Sequence, residues 1–140
     1  PDTGTLNLDK YAVVDDIGVV INPMLADGQI HGGIAQGVGQ ALTEHVVFDA
    51  ESGQLMTGSL MDYAMPFAET LPSFDTEFHE VPCQSNPIGV KGAGEGGTVG
   101  ATPAVISAIL DALASLGVTD IGMPATSQRI WQAIEKARHL

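Results

Sequence analysis

The residues best placed to do chemistry lie between Asn86 and Gly100, where glycines at 89, 92, 94, 96, 97 and 100 surround a single acid, Glu95. Glycine serves where a backbone must take positive φ or come close to another group. Beyond them, Ala101 to Leu116 carries Val105, Ile109, Leu110, Leu113 and Leu116 at helical spacing. Thr98 or Thr102 can cap that helix, and Pro103 suits its first turn. The loop therefore opens into a helix N-terminus, with free N–H groups and a positive dipole. A carboxylate held there is favoured in its ionised form, which makes Glu95 a candidate general base. A tight turn whose glutamate faces water is the plainer alternative.

A dinucleotide site is the other rival, because Gly92-x-Gly94-x-x-Gly97 formally matches G-x-G-x-x-G. That fingerprint needs a hydrophobic strand just before it. Here the preceding run is Pro82-Cys83-Gln84-Ser85-Asn86-Pro87, and Glu95 would face a pyrophosphate. The match is rejected.

A second set of polar groups stands on Met24 to Glu44, where Leu25, Ile30, Ile34, Val38 and Leu42 form a helical stripe. Asn22 is a plausible cap and Pro23 a suitable first residue. Glycines at 28, 32, 33, 37 and 39 each cost ~1 kcal/mol relative to alanine in a helix. Their retention points to close approach by another backbone, through helix packing, or by a ligand. Gln29, Gln36 and Gln40 interrupt the stripe with amides, which can both donate to and accept from a heterocycle.

The elements that must position these groups follow from local pattern. Thr5 to Val14 and Thr76 to Val81 alternate as strands, and Val19 to Ile21 is a short strand after the turn Asp15-Asp16-Ile17-Gly18. Those two acids are too few for calcium and fit a solvated turn. His45 to Asp49 and Gln54 to Met56 read as a hairpin, Thr57 to Leu71 as an ordered loop, and Gly117 to Ile121 as a connector or short strand. Ser127 to Arg138 is a last amphipathic helix with Ile130, Trp131 and Ile134 inward. The expected fold is α+β, one domain over residues 1–140, with three helices packed on a small, mostly antiparallel sheet.

Composition narrows the partners. A chain of 140 residues can build one real core, and 44% hydrophobic against 16% charged residues is globular and slightly apolar. Part of such a surface is expected to be covered by another polypeptide. A net charge of −12 disfavours nucleic acid and anionic membrane. One cysteine, Cys83, excludes an internal disulfide, and His31, His45, His79 and His139 show no metal-binding spacing, so no protein-held metal is expected. No signal peptide and no apolar run of ~18 residues is evident, so a cytoplasmic chain without a membrane span is expected. The opening Pro1-Asp2-Thr3-Gly4 lacks an initiator methionine and reads as a piece of something longer.

Four ordered motifs carry a family resemblance across nearly the whole chain. Asp15 to Pro23 followed by Asp27-Gly28-Gln29-Ile30-His31-Gly32-Gly33-Ile34-Ala35-Gln36-Gly37 is the first, and Thr57-Gly58-Ser59-Leu60-Met61-Asp62-Tyr63-Ala64-Met65-Pro66 the second. Val90-Lys91-Gly92-Ala93-Gly94-Glu95-Gly96-Gly97 is the third, and Ala125-Thr126 with Arg129-Ile130-Trp131 closes the set. Together they resemble the C-terminal portion of the molybdopterin-binding large subunit of the xanthine dehydrogenase and aldehyde oxidase family, nearest to the carbon monoxide dehydrogenase large-chain type.

The resemblance implies a fragment of a larger molybdenum-binding domain. In it, Glu95 falls on the catalytic base beside the molybdenum, and Gln29 on a glutamine that hydrogen-bonds the pterin. Lys91, Gly92, Ala93 and Gly94 fall on backbone lining the cofactor, with Asn22 a further contact. The implied cofactor is molybdenum–molybdopterin, in its cytosine dinucleotide form, held by the full subunit and absent from the fragment. The implied partners are the remainder of the large subunit, iron–sulfur and flavin subunits or domains, and a small-molecule substrate. That substrate is an aldehyde, an N-heterocycle or carbon monoxide, hydroxylated with water. The fragment by itself is expected to be inactive. A non-catalytic module that pairs with a longer chain through its glycine-rich helix is the alternative.

Overall fold

Two long helices lie against each other because small residues line both contact faces. The computed structural model describes residues 1–139. Helix α1, Pro23–Leu42, starts as the sequence suggests: the Asn22 Oδ1 accepts the Leu25 N–H at 3.1 Å, and Pro23 opens the first turn. Helix α2, Gly96–Leu113, continues into a 3-10 turn, Ala114–Leu116, and stops at Gly117 with φ +80°. A Cβ added at Gly97 would lie 2.5 Å from the Ile30 carbonyl oxygen, and one at Gly37 would lie 2.7 Å from the Ala101 Cβ. The Thr98 and Thr102 hydroxyls donate across the seam to the Gly33 and Gly37 carbonyls, at 3.1 and 3.2 Å. They also reach Gln36 Oε1 and Gln40 Oε1, each at 3.3 Å.

This seam corrects two expectations. The second helix begins at Gly96 rather than Ala101, so the last part of the glycine stretch is helical. Thr98 and Thr102 are bridges to α1, not caps, and Pro103 lies inside the helix. Propensity favours a start after the glycines, but only glycine lets α2 run this close to α1, and packing wins.

The core grows from the seam. Ile30, Ile34, Val38 and Ala41 meet Ala101, Val105 and Ile109, and helix α3, Ser127–Arg138, adds Ile130 and Ile134. Burying each such aliphatic side chain contributes roughly 1.5–3 kcal/mol, enough to offset what glycine costs α1. Thr126 caps α3 by accepting the Arg129 N–H at 3.4 Å. Trp131, expected inward, is 40% exposed, whereas Ile130 and Ile134 are buried.

The sheet differs from expectation. It has two strands, β1 (Tyr11–Asp15) and β2 (Phe74–Phe78), and they are parallel, with Tyr11 opposite Phe74 and Asp15 opposite Phe78. A connection containing a helix lets strands run parallel, whereas antiparallel partners are joined by short turns. Val19 to Ile21 forms no strand; a bridge joins Gly18 to Val90 just before it, and the Val19 N–H donates to the Gly89 carbonyl at 3.0 Å. The region His45 to Met56 does fold back, with Asp49 N–H to Gln54 O and Met56 N–H to Val47 O both at 2.8 Å. Its pairing is limited to one bridge, Phe48 to Leu55. The three helices and the α+β class stand; the antiparallel sheet does not.

One further reading changes. The span Gly96–Leu116 is long and apolar enough by composition to cross a membrane, with a mean hydropathy of 1.7. Its glycines, threonines and serines hide that run from a residue-by-residue scan. In the fold one side of it is the α1 seam, through Gly97, Ala101, Val105 and Ile109.

Candidate active site

The candidate site forms where the first turns of α1 pass the glycine loop. Gln29, on the second turn of α1, donates from Nε2 to the Gly94 carbonyl at 3.0 Å. That bond joins two groups 65 positions apart and sets the amide beside Glu95. Glu95 is the residue before α2; its side chain is exposed and makes no capping hydrogen bond, while its carbonyl accepts the Val99 N–H at 3.0 Å. Gly92 and Gly94 are exposed, neither has positive φ, and a Cβ on either would meet nothing within 4 Å. The fold of this chain therefore does not require glycine at these two positions.

The loop's approach is held from both sides. Asn86 closes its start, accepting the Val90 N–H at 3.2 Å and donating to the Val90 carbonyl at 2.9 Å around Gly89, whose φ is +71°. The Lys91 N–H donates to the Ile17 carbonyl at 2.8 Å. The Lys91 ammonium pairs with Asp16 Oδ2, so both the side chain and the N–H of this candidate contact are engaged within the protein, and these bonds leave its backbone carbonyl. Asn22 lies seven residues before Gln29, about 10 Å along the helix axis, and its Oδ1 is committed to the cap. Gln36 and Gln40 lie on the helix seam instead, so of the three amides Gln29 alone joins the loop.

Two acids that the sequence suggests are solvated turn residues are parts of this architecture. Asp16 Oδ1 accepts the Gly18 N–H at 2.9 Å and the Val81 N–H at 3.2 Å, while Oδ2 takes Lys91. One carboxylate thus ties the end of β1, the segment after β2 and the glycine loop. The Lys91 ammonium first, and then the backbone donors, hold its carboxyl down at about 2. Asp15 ends β1 with Oδ2 buried and without a hydrogen-bond partner among the described residues. Its Oδ1 lies 3.5 Å from where a Cβ on Gly96 would stand, and burial pushes its carboxyl up. The Asp-x-Gly spacing of Asp16 and Gly18 is a signal for the local turn. Nothing local in the sequence announces the partners at Val81 and Lys91.

Chemically, the patch offers a smooth, open backbone, an amide and an exposed carboxylate, with no three His, Cys, Asp or Glu side chains converging as metal ligands among the described residues. This suits a flat heterocycle whose edge carries donors and acceptors, with a proton acceptor beside it. A bare ion has no ligand set here.

Comparison with known proteins gives a concordant picture. The chain is 40% identical over 134 residues to the carbon monoxide dehydrogenase large chain of Hydrogenophaga pseudoflava, covering 96% of this chain and 17% of the relative. It is 39% identical to the nicotine 6-hydroxylase large subunit of Paenarthrobacter nicotinovorans, covering 95% of this chain and 16% of that one. Among solved structures, the Cu,Mo-carbon monoxide dehydrogenase in its carbon monoxide reduced state superposes with a TM-score of 0.92 at 35% identity, over 98% of this chain and 17% of the other. Quinoline 2-oxidoreductase from Pseudomonas putida 86 gives 0.91 at 41% identity, over 96% and 17%. The chain thus spans about one sixth of the length of these relatives. Residues 1–72 match the sequence profile of the molybdopterin cofactor-binding domain, and the chain belongs to that family, as a segment matching the large subunits of molybdenum hydroxylases.

Proposed function

We propose that this chain forms one wall of the active site of a molybdenum hydroxylase and supplies its general base, Glu95. The observation that carries the reading is the juxtaposition of Gln29, the open glycines 92 and 94, and the unpaired Glu95 at one edge of the fold. Glycine retained where no atom of the chain comes near is explained by a ligand that does. The residues fit a molybdenum–pterin group in its cytosine dinucleotide form: Gln29 and the backbone of Lys91, Gly92, Ala93 and Gly94 would line it, with the Asn22 amide nitrogen as a further donor. When bound, that group supplies a two-electron acceptor for hydroxylation with water.

The chain's own part is narrower. Gln29 and the loop orient the cofactor edge, and the Asp16–Lys91 pair fixes the loop. Glu95 accepts the proton released as water becomes the incoming hydroxyl group of the product. General base catalysis of this kind is worth ~10²–10⁴-fold. The substrate is a small molecule with an electron-poor carbon. The relatives' names differ in substrate, giving carbon monoxide, nicotine and quinoline, so similarity does not select among them. The remainder of the subunit and iron–sulfur and flavin partners complete the cytoplasmic enzyme, and the 140 residues by themselves are inactive. Many exposed apolar side chains, including Ile21, Met24, Phe48, Leu60, Met61 and Phe67, fit burial by that remainder. Helix α2 reads in this setting as a core helix, not a membrane span.

Glu95→Gln in the full-length subunit tests the assignment. The variant keeps the loop's shape and the cofactor, so molybdenum content stays normal while turnover per molybdenum falls at least ~10²-fold. Turnover per molybdenum within tenfold of the parent enzyme ends the claim.

A further inference from the structure

The Asp16 carboxylate divides its labour: Oδ1 accepts two backbone N–H groups, and Oδ2 is left for the Lys91 ammonium alone. Lys91 precedes Glu95 by four residues on an exposed stretch of glycines and alanine, with nothing bulky between them. Its side chain is long and flexible, and Glu95 has no side-chain partner of its own at the start of α2. An ammonium released here would have the base as its nearest unpaired acid on the loop. Of the acids nearby, Asp15 has its Oδ1 beside Gly96 and its Oδ2 buried, and Asp27 on α1 is engaged by Thr76 and His31. Cys83, His79 and Glu80 complete the ionisable groups on the segment after β2, and Lys91 is the only lysine or arginine between Asp16 and Arg129.

We propose that Asp16 is a positioning residue for the base: it holds the Lys91 ammonium away from Glu95, so that the carboxylate stays unpaired and basic. This rests on the reading of Glu95 as the general base. An unpaired carboxylate is a stronger proton acceptor than one neutralised by a neighbouring cation, which favours the ionised form and weakens the base. Of the two adjacent aspartates, Asp15 closes β1 and packs beside Gly96, whereas Asp16 restrains a charge without touching cofactor or substrate.

Three variants of the full-length, molybdenum-loaded subunit test this through the acid limb of the pH–rate profile. Asp16→Asn can keep both backbone bonds through its carbonyl oxygen but presents an amide to Lys91, which is released. The freed cation lowers the affinity of Glu95 for protons, and the limb moves down by about 0.5–1 pH unit. Lys91→Met instead leaves Asp16 as an unmatched anion, and the limb moves up. Combining the two returns it to the parent position. A merely structural role would reduce rate or cofactor content without moving the limb, and unmoved limbs in both single variants, or a double variant no nearer the parent than Asp16→Asn, overturn the proposal. Carboxyl NMR titration of the 140-residue chain is the readout independent of activity. With Lys91 holding it down, Asp16 is expected at about 2 in the parent and higher in Lys91→Met. An Asp16 titration that ignores Lys91 also overturns it, even if the Asn variant fails to fold. Failure of Glu95→Gln to slow turnover would instead remove the base itself, a separate result.

Discussion

Glycines do opposite things at the two ends of the same contact. Along the α1–α2 seam, Gly33, Gly37 and Gly97 have backbone within 3.0 Å of where a Cβ would be, so the fold itself forbids a side chain. A few residues away, Gly92 and Gly94 have nothing within 4 Å and unexceptional backbone angles. Gly28 and Gly32, on the same helix as Gly33 and Gly37, are open in the same way. One sequence pattern therefore encodes two constraints, one internal to the chain and one imposed from outside it. Stability measurements see the first, and cofactor measurements see the second.

Substitutions separate the two. The largest effect belongs to Gly97→Ala, whose methyl would stand 2.5 Å from the Ile30 carbonyl and 2.9 Å from the Ile34 nitrogen. Overpacking against backbone is expected to cost ~1–3 kcal/mol, net of the better helix propensity of alanine. Denaturant unfolding of the 140-residue chain measures it, and an unchanged midpoint would refute a rigid seam. Next come Thr98→Val and Thr102→Val, which keep shape but remove the bonds to Gly33 and Gly37. Each should lower stability by ~1 kcal/mol, because the helical carbonyls they reach retain their own partners. The smallest effect is Gly94→Ala, expected within ~0.5 kcal/mol of the parent in the same assay. In the full-length subunit the same methyl should reduce molybdenum content severalfold. A variant that keeps full molybdenum, or one that unfolds the chain, would erase the distinction between the two regions.

The parts legible in the sequence were those governed by neighbours in the chain. The start of α1 at Asn22-Pro23 and the bounds of α3 needed only capping and period. Glu95 and Gln29 could be singled out by type and by family resemblance, and the structure adds that Gln29 meets the loop at Gly94. What could not be read depends on distant partners. The direction of β2 relative to β1 is set by how α1 and the long connection return the chain, not by alternation within either strand. The start of α2 is set by α1 lying across Gly97, and the roles of Thr98 and Thr102 by carbonyls 65 residues earlier. The tie made by Asp16 is hidden for the same reason: its turn is local, but Lys91 is 75 positions away. Hydrophobicity alone points Trp131 inward, but its helix already buries Ile130 and Ile134, and Trp131 stays partly exposed.

The parallel pair β1–β2 has a consequence for handling the chain. Each strand uses one side of its backbone for the other, and among the described residues neither has a second neighbour in the sheet. Two outer edges are thus left with peptide groups free to template another strand, a form of exposure that side-chain polarity does not remove. Val14 stands 63% exposed on β1, and the Lys10–Asp75 ion pair guards only one end of the ribbon. Concentrating the 140 residues therefore invites strand-to-strand growth at these edges, and a preparation kept dilute, or capped by a strand from the longer subunit, is the one whose solution behaviour will report on the monomer.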